Sequence, residues 1–197
     1  MPADASGMHP AEIESFPPAG VTVRPARPSD ARSYLEMWRD VVAERRFVRS
    51  ETVPANARGF RRSFRASWTN DRARFVALAW GKVVGMISIE RMSHPVNHHV
   101  ATLGMAVESS WRGKGVGSAL MAAAMKWARQ VGVEKVTLEV FPTNEAGIAL
   151  YRKFGFVEEG RLHRQSKKSY GYDDEVIMSR WLAGDAPEPL LPTDERE

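Results

Sequence analysis

The sequence predicts a mixed α/β fold from two observations. Residues 74–80 and 83–91 are rich in β-branched and aromatic residues and flank a short Gly81-Lys82 turn, which predicts a β-hairpin. Farther along, a strand, a glycine-rich loop, a long Ala/Leu/Met helix and a second strand occupy residues 99–141 and make a βαβ unit. Antiparallel pairing therefore comes first and a parallel crossover follows.

The elements before the hairpin are one strand and two helices. Residues 21–24 predict a first strand, and Ser29 or Asp30 caps a helix whose apolar side chains recur at helical spacing. Its stripe is formed by Tyr34, Leu35, Trp38, Val41 and Val42. A second helix is expected over residues 54–68, where Phe60, Phe64 and Trp68 recur every four residues. Arg58, Arg61, Arg62 and Arg65 occupy its other faces.

The remaining elements alternate between strand and helix. A strand over residues 99–107 leads to a helix over 117–130 that buries Leu120, Ala124 and Trp127, with Val131 just beyond it. Gly132 ends this helix, and residues 135–141 return as a strand. Another helix is expected over 145–153, then a strand that opens at Phe156 and a last strand over 175–181.

Length and composition predict a single domain. The chain has 197 residues, 43% of them hydrophobic, which suits one well-buried domain over residues 21–182. Prolines without periodic pattern predict flexible extensions over residues 1–20 and 183–197. The sequence has no apolar run of bilayer length and no features of a secretory signal, so we expect a cytoplasmic protein with no membrane partner.

Charge and cysteine content narrow the chemistry. The chain has no cysteine, which excludes disulfides, thiol nucleophiles and Cys-ligated metals. Its formal charge of +4 favours an anionic ligand, but lysine and arginine are dispersed among 24 acidic residues. A small anionic cofactor therefore explains the charge, and we expect no nucleic-acid partner.

Residues 112–117 read Arg-Gly-Lys-Gly-Val-Gly at a junction between strand and helix. Glycines let backbone N–H groups approach an anion, and a helix start adds unpaired N–H groups and positive potential. A Walker A loop is excluded because no Ser or Thr follows the lysine, and the spacing G-x-G-x-G does not fit a dinucleotide fingerprint. What remains is an Arg-x-x-Gly-x-Gly loop for a diphosphate, preceded by Val107.

This loop resembles the acetyl-coenzyme A loop of the GCN5-related N-acetyltransferase (GNAT) family. Residues 138–156 resemble the second signature of that family, with the stretch Asn144-Glu145-Ala146 followed by Leu-Tyr-x-x-x-Gly-Phe at residues 150–156. The resemblance covers nearly the whole folded chain and is strongest to the bacterial L-amino-acid N-acetyltransferase branch. It implies a central mixed sheet of about six to seven strands that is splayed between the strands ending at Val107 and Phe141 and flanked by helices.

The resemblance also implies acetyl-coenzyme A as cosubstrate, without a metal. The backbone of the strand before the loop would bind pantetheine, and the Val107 N–H or a neighbour would polarise the thioester carbonyl. The implied cofactor contacts are Met105, Ala106, Val107, Arg112, Gly113, Lys114, Gly115, Val116, Gly117, Ser118, Asn144 and Tyr151.

Asn144 and Tyr151 are candidates for the cofactor side because they lie two helical turns apart and share one face. The Tyr151 phenol could protonate the departing thiolate. The alternative is that Asn144 caps the helix and Tyr151 lies in the core.

A general base is needed because an ammonium has no lone pair with which to attack. Glu139 interrupts an apolar strand near the splayed end and is the candidate. His99 precedes Val107 by about 26 Å of strand, too far for direct action. Glu90, on the adjacent hairpin strand, and Asp173, in the late loop, are further candidates for the base that the sequence does not rank.

The acceptor wall is expected from the first two helices and a loop over residues 169–175. Within that loop, Tyr172 and Asp173 are the predicted substrate contacts, with Tyr170 and Asp174 beside them. The arginines of the second helix could instead receive a carboxylate.

The sequence thus predicts an acetyl-CoA-dependent N-acetyltransferase that acts by direct attack of a primary amine on the thioester. The acceptor would be a small molecule, an amino acid or a peptide N-terminus. One alternative is a noncatalytic acyl-CoA-binding module, and another is a nucleic-acid binder that uses the arginines of the second helix. A homodimer through the sheet edges and the C-terminal strand is a further expectation.

Overall fold

A computed structural model describes residues 17–184. The predicted extensions at the two ends therefore lie outside the described residues, apart from 17–20 and 183–184. The strands are β1 (Val21–Pro25), β2 (Arg72–Ala79), β3 (Lys82–Arg91), β4 (Val100–Val107), β5 (Lys135–Val140), β6 (Val157–Lys168) and β7 (Gly171–Trp181). The helices are α1 (Ala31–Ala43), α2 (Arg58–Phe64), α3 (Val116–Gln130) and α4 (Glu145–Lys153).

The seven strands form one sheet in the order β1-β2-β3-β4-β5-β7-β6. The β4–β5 pair is parallel, and the other neighbouring pairs are antiparallel. The predicted mixed sheet, its hairpin and its βαβ unit are confirmed. The C-terminal strand β7, however, is paired on both sides. The edges of this sheet are β1 and β6, so β7 offers no free edge to a second chain.

The parallel pair β4–β5 opens into a gap. Pairing joins Val100–Thr102 to Lys135–Thr137 and then stops, although β4 runs on to Val107 and β5 to Val140. Beyond that point β4 pairs with β3 and β5 with β7. The predicted splay is therefore present, and two strand edges face each other across it.

Helices cover both faces of the sheet. On one face, α3 buries Leu120, Ala124 and Trp127 as expected, while Val131 is only partly buried. On the other face, Tyr34 of α1 packs edge-on against Phe60 of α2, with ring centroids 4.7 Å apart. The cleft between β4 and β5 thus has rigid walls on each side of the sheet.

Two sequence expectations were wrong. The second helix spans seven residues and not 54–68, because the Asn56 side chain accepts from the Arg58 N–H and starts the helix late. Trp68, expected on its apolar stripe, lies beyond it and is half exposed. The expected loop over 169–175 is mostly strand, since β7 begins at Gly171 and pairs with an edge strand rich in exposed polar residues.

Candidate active site

The glycine-rich loop follows a 3-10 turn at Ser109–Trp111 and feeds directly into α3. Gly113 and Gly115 have φ angles of +70° and +87°, a left-handed conformation that side chains disfavour. Gly113, Gly115, Gly117 and Ser118 line a cavity in the gap. The first N–H groups of α3 have no partner within the helix. The loop therefore has the geometry that the predicted anion cradle requires.

Gly117 lies where the loop meets α4. A Cβ at this position would come 3.0 Å from Leu150 Cδ2 and 3.6 Å from Met105 Cε. Gly117 thus lets the start of α3 approach both β4 and α4 closely.

The ladder between β3 and β4 decides which backbone groups face the gap. Glu108 N–H donates to the Val84 carbonyl, which makes Gly85 and Val107 a non-hydrogen-bonded pair in the antiparallel register. Ala106 is therefore bonded to Met86, while the N–H groups of Met105 and Val107 point away from β3. Of the predicted pantetheine contacts Met105, Ala106 and Val107, only Ala106 has its backbone N–H and C=O bonded to β3, so it can contact a ligand in the gap through its side chain alone.

The two cations of the loop have partners in the protein. The Arg112 guanidinium donates to both Glu44 oxygens at 2.6 and 2.7 Å and to the Val107 carbonyl at 2.9 Å. Lys114 Nζ lies 5.4 Å from the Trp111 ring centroid. Arg112 lines the cleft and Lys114 does not, so backbone groups form most of the loop surface at the cleft.

Two cavities meet inside the splay. One, of about 430 Å³, contacts the glycine-rich loop, α4 and the end of β4. The other, of about 520 Å³, extends over β4 and β5 beneath α1. They share a boundary formed by Phe47, Val48, Met105, Ala106, Asn144 and Tyr151. Two ligands can therefore meet end to end at this boundary.

Asn144 and Tyr151 both line the boundary, but the Asn144 side chain already has a hydrogen-bond partner in α4. Asn144 Oδ1 accepts from Gly147 N–H at 3.0 Å, so Asn144 caps α4. Tyr151 is buried, and burial raises the pKa of its phenol to about 12. Tyr151 thus stays protonated near neutral pH.

The second cavity contains a network of charged side chains. Arg49 bonds both Glu139 and Glu175, and Ser166 Oγ donates to Glu175 at 2.5 Å. Burial alone would raise the pKa of Glu175, but the hydrogen bonds from Arg49 and Ser166 lower it below its usual value. Glu175 remains ionised although almost fully buried, and Arg49 lies between two carboxylates.

The remaining sequence candidates lie away from this network. Tyr172 is exposed beside Lys167, and Asp173 accepts from the Tyr170 hydroxyl, so neither lines the two cavities. Asp173 lies two residues before Glu175 and therefore on the same face of β7, but nearer the β6–β7 turn, where it contacts Lys168 and Tyr170. Tyr172 points to the opposite face. His99 packs against Trp181, and Glu90 pairs with Arg72.

Sequence reasoning missed Arg49, Glu175 and Phe47. Arg49 and Phe47 lie in an irregular segment after α1 that carries no periodic pattern. Glu175 falls at the end of the expected loop as the last of three consecutive carboxylates, Asp173, Asp174 and Glu175, and only its position directly before Val176 distinguishes it. Within residues 17–184, no three His, Asp or Glu side chains group closely enough to hold a metal ion. No helix in that range is long and apolar enough to cross a membrane.

A splayed parallel strand pair beside a glycine-rich helix start and a carboxylate-bearing cavity fits the class of acyl-coenzyme A dependent transferases. Residues 35–156 match the model of the acetyltransferase (GNAT) family, which is more than half of the chain. The chain therefore belongs to this family. It is an acetyl-CoA-dependent N-acetyltransferase.

Individual relatives agree with this assignment. The chain is 35% identical to L-amino acid N-acetyltransferase AaaT of Escherichia coli (strain K12), over 54% of this chain and 67% of that protein. It is 27% identical to an L-methionine sulfoximine/L-methionine sulfone acetyltransferase of Pseudomonas aeruginosa, over 82% and 89% of the two chains. The fold is similar to that of a phosphinothricin acetyltransferase from Sinorhizobium meliloti in complex with acetyl-CoA, with a TM-score of 0.75 and 24% identity over 89% and 97% of the chains.

Proposed function

We propose that the protein acetylates the α-amino group of a free amino acid or a close analogue by direct attack on acetyl-coenzyme A. The observation that carries this proposal is the junction of the two cavities at Tyr151, with the anion cradle on one side and Arg49 between two carboxylates on the other. Charges of both signs in the acceptor cavity suit a zwitterion.

Coenzyme A would occupy the cavity at the glycine-rich loop. Its pyrophosphate would accept from N–H groups of residues 113–118, aided by the dipole of α3. The pantetheine amides would pair with the free edges of Met105 and Val107, as an added strand does. The charges of Arg112 and Lys114 would attract the pyrophosphate at longer range. Asn144 would contact the pantetheine where the two cavities meet.

The reaction needs one base, one oxyanion donor and one acid. Glu139 takes a proton from the acceptor ammonium, directly or through water, and the freed lone pair attacks the thioester carbon. The N–H of Val107 or of its gap-facing neighbour Met105 stabilises the oxyanion, and the other pairs with pantetheine. As the C–N bond forms and the C–S bond breaks, Tyr151 donates its proton to the leaving thiolate. The second proton of the nitrogen passes through water to the Tyr151 phenolate, and Glu139 releases the first proton to solvent.

The acceptor carboxylate would bind Arg49. A guanidinium offers five N–H donors in a planar fork, so Arg49 can hold a substrate carboxylate while Glu175 fixes its orientation. The names of two relatives, an L-amino acid acetyltransferase and an L-methionine sulfoximine/sulfone acetyltransferase, support an acceptor of this class.

The test is an acceptor panel followed by release of free thiol from acetyl-CoA. Each L-amino acid is compared with its amide, which keeps the amine and loses the carboxylate, and with peptides carrying the same N-terminal residue. We expect turnover with amino acids and at least tenfold lower kcat/KM with the amides. Equal rates for acids and amides would contradict the role of Arg49, and acetyl-CoA binding without transfer to any amine would favour a noncatalytic binding module.

A further inference from the structure

The Glu44–Arg112 ion pair joins the end of α1 to the end of β4. Glu44 directly follows the last residue of α1, and Arg112 bonds both of its oxygens as well as the Val107 carbonyl. The two side chains are 24% and 35% exposed, so the pair is largely shielded from water. Such a two-pronged contact fixes orientation as well as distance.

The chain after Glu44 builds the wall of both cavities. Arg45 has a φ angle of +53°, an unfavourable conformation for a side chain, and turns the backbone sharply off the helix axis. Phe47 and Val48 then line both cavities, and Arg49 reaches into the acceptor cavity. The position of this wall, residues 45–51, therefore depends on where α1 is anchored.

The far end of the 45–51 wall is anchored to the β6–β7 hairpin. Lys168 Nζ donates to the Val48 carbonyl at 2.8 Å. Glu51 accepts from the Ser169 N–H and, at 2.6 Å, from its hydroxyl. The wall thus spans from the cofactor loop, through Glu44 and Arg112, to the acceptor side.

We infer that Glu44 and Arg112 are positioning residues whose ion pair transmits occupation of the coenzyme A site to the acceptor wall. The inference rests on the proposed placement of coenzyme A against residues 113–118. Binding there holds the loop and the end of β4 in place, and Arg112 passes this constraint to Glu44 and the 45–51 wall. Arg112 acts mainly through Glu44 and not as a ligand of the pyrophosphate.

Hydrogen exchange with and without coenzyme A tests this coupling in the full chain. In the wild type, the ligand slows exchange in peptides covering both 113–118 and 45–51. In Glu44→Gln, protection of 113–118 remains, coenzyme A affinity by calorimetry stays within threefold, and the ligand-dependent protection of 45–51 falls at least fivefold. Glu44→Asp keeps the carboxylate and restores part of the ligand-dependent protection of 45–51.

Glu36→Gln is the matched control, because it removes an exposed ion pair with Arg32 on the same helix and should behave as the wild type. Full protection of 45–51 in Glu44→Gln would overturn the inference. So would a loss of tenfold or more in coenzyme A affinity on Arg112→Met with protection of 45–51 retained, because Arg112 would then be a phosphate ligand. A wild-type chain that binds no coenzyme A would instead overturn the proposed function itself.

Discussion

Replacing Gly117 by glutamate tests the anion cradle through charge. Gly117 is the second residue of α3, and the first turn of a helix favours a carboxylate by about 0.3–1 kcal/mol, so the folded state should tolerate the change. The new Cβ would meet the flexible end of Leu150, which can move by a few tenths of an ångström. The expected loss is therefore in ligand binding and not in folding.

The size of the loss follows from Coulomb's law. A carboxylate about 5 Å from one phosphate charge, at an effective dielectric constant of about 20–40, costs about 1.5–3 kcal/mol. This corresponds to about 10- to 200-fold weaker binding of coenzyme A. Gly117→Gln has nearly the same shape without the charge, so the ratio of the two affinities isolates the electrostatic part.

Isothermal titration with coenzyme A at low and high salt measures this ratio, which should shrink as salt screens the repulsion. Gly59→Glu is a matched control, because Gly59 is likewise the second residue of its helix and a Cβ added there would meet no atom within 4 Å. Equal affinities for Gly117→Glu and Gly117→Gln would refute the placement of the pyrophosphate at this helix.

Three further predictions concern the boundary and the acceptor cavity. Tyr151→Phe should lower kcat by about 100-fold or more while coenzyme A affinity is kept; unchanged kcat in single-turnover measurements would remove Tyr151 as the acid. Because Glu175 has a lowered pKa, its contribution to stability is complete above the ordinary value of 4.5 and is lost as pH falls through the folded-state value. In Glu175→Gln, the free energy of unfolding measured with urea should therefore fall less steeply as the pH is lowered below 4.5 than in the wild type. The same pH dependence in both proteins would contradict this role of Glu175. Gly147→Ala places a Cβ 2.7–2.9 Å from the Asn144 side chain and should disrupt the α4 cap, destabilising the protein by about 0.5–2 kcal/mol; a thermal melt identical to wild type would show that the cap adapts.

Local patterns were sufficient for most elements of the fold. The hydrophobic period located α3, the alternation of β-branched residues located β2 and β3, and Gly132 marked the end of α3, because these signals depend on residues close in sequence. The same patterns located only the start of β6 and not its length, because its residues alternate poorly where one edge of the strand faces solvent.

Candidate site residues divide in the same way. The clustering of the loop glycines could be predicted from a helix start, and the shared face of Asn144 and Tyr151 from their two-turn spacing. The contact of α3 with α4 that brings the two together is long-range. Tyr172 and Asp173 were chosen from an expected loop that is mostly strand. Both lie at the β6–β7 turn end of β7, and neither lines the two cavities, whereas Glu175 lies farther along the same strand and does. Where a strand begins relative to a cavity depends on its partner strands, so one strand's sequence does not reveal it.

Short runs of residues were enough to predict the order of the elements and the family. The pairing of charges, by contrast, could be seen only in the folded chain. Folding joins Arg112 to Glu44, 68 residues away, and Arg49 to Glu175, 126 residues away. Ion pairs between such distant residues follow from the packing of β4, β7 and the 45–51 wall, and no local pattern encodes them.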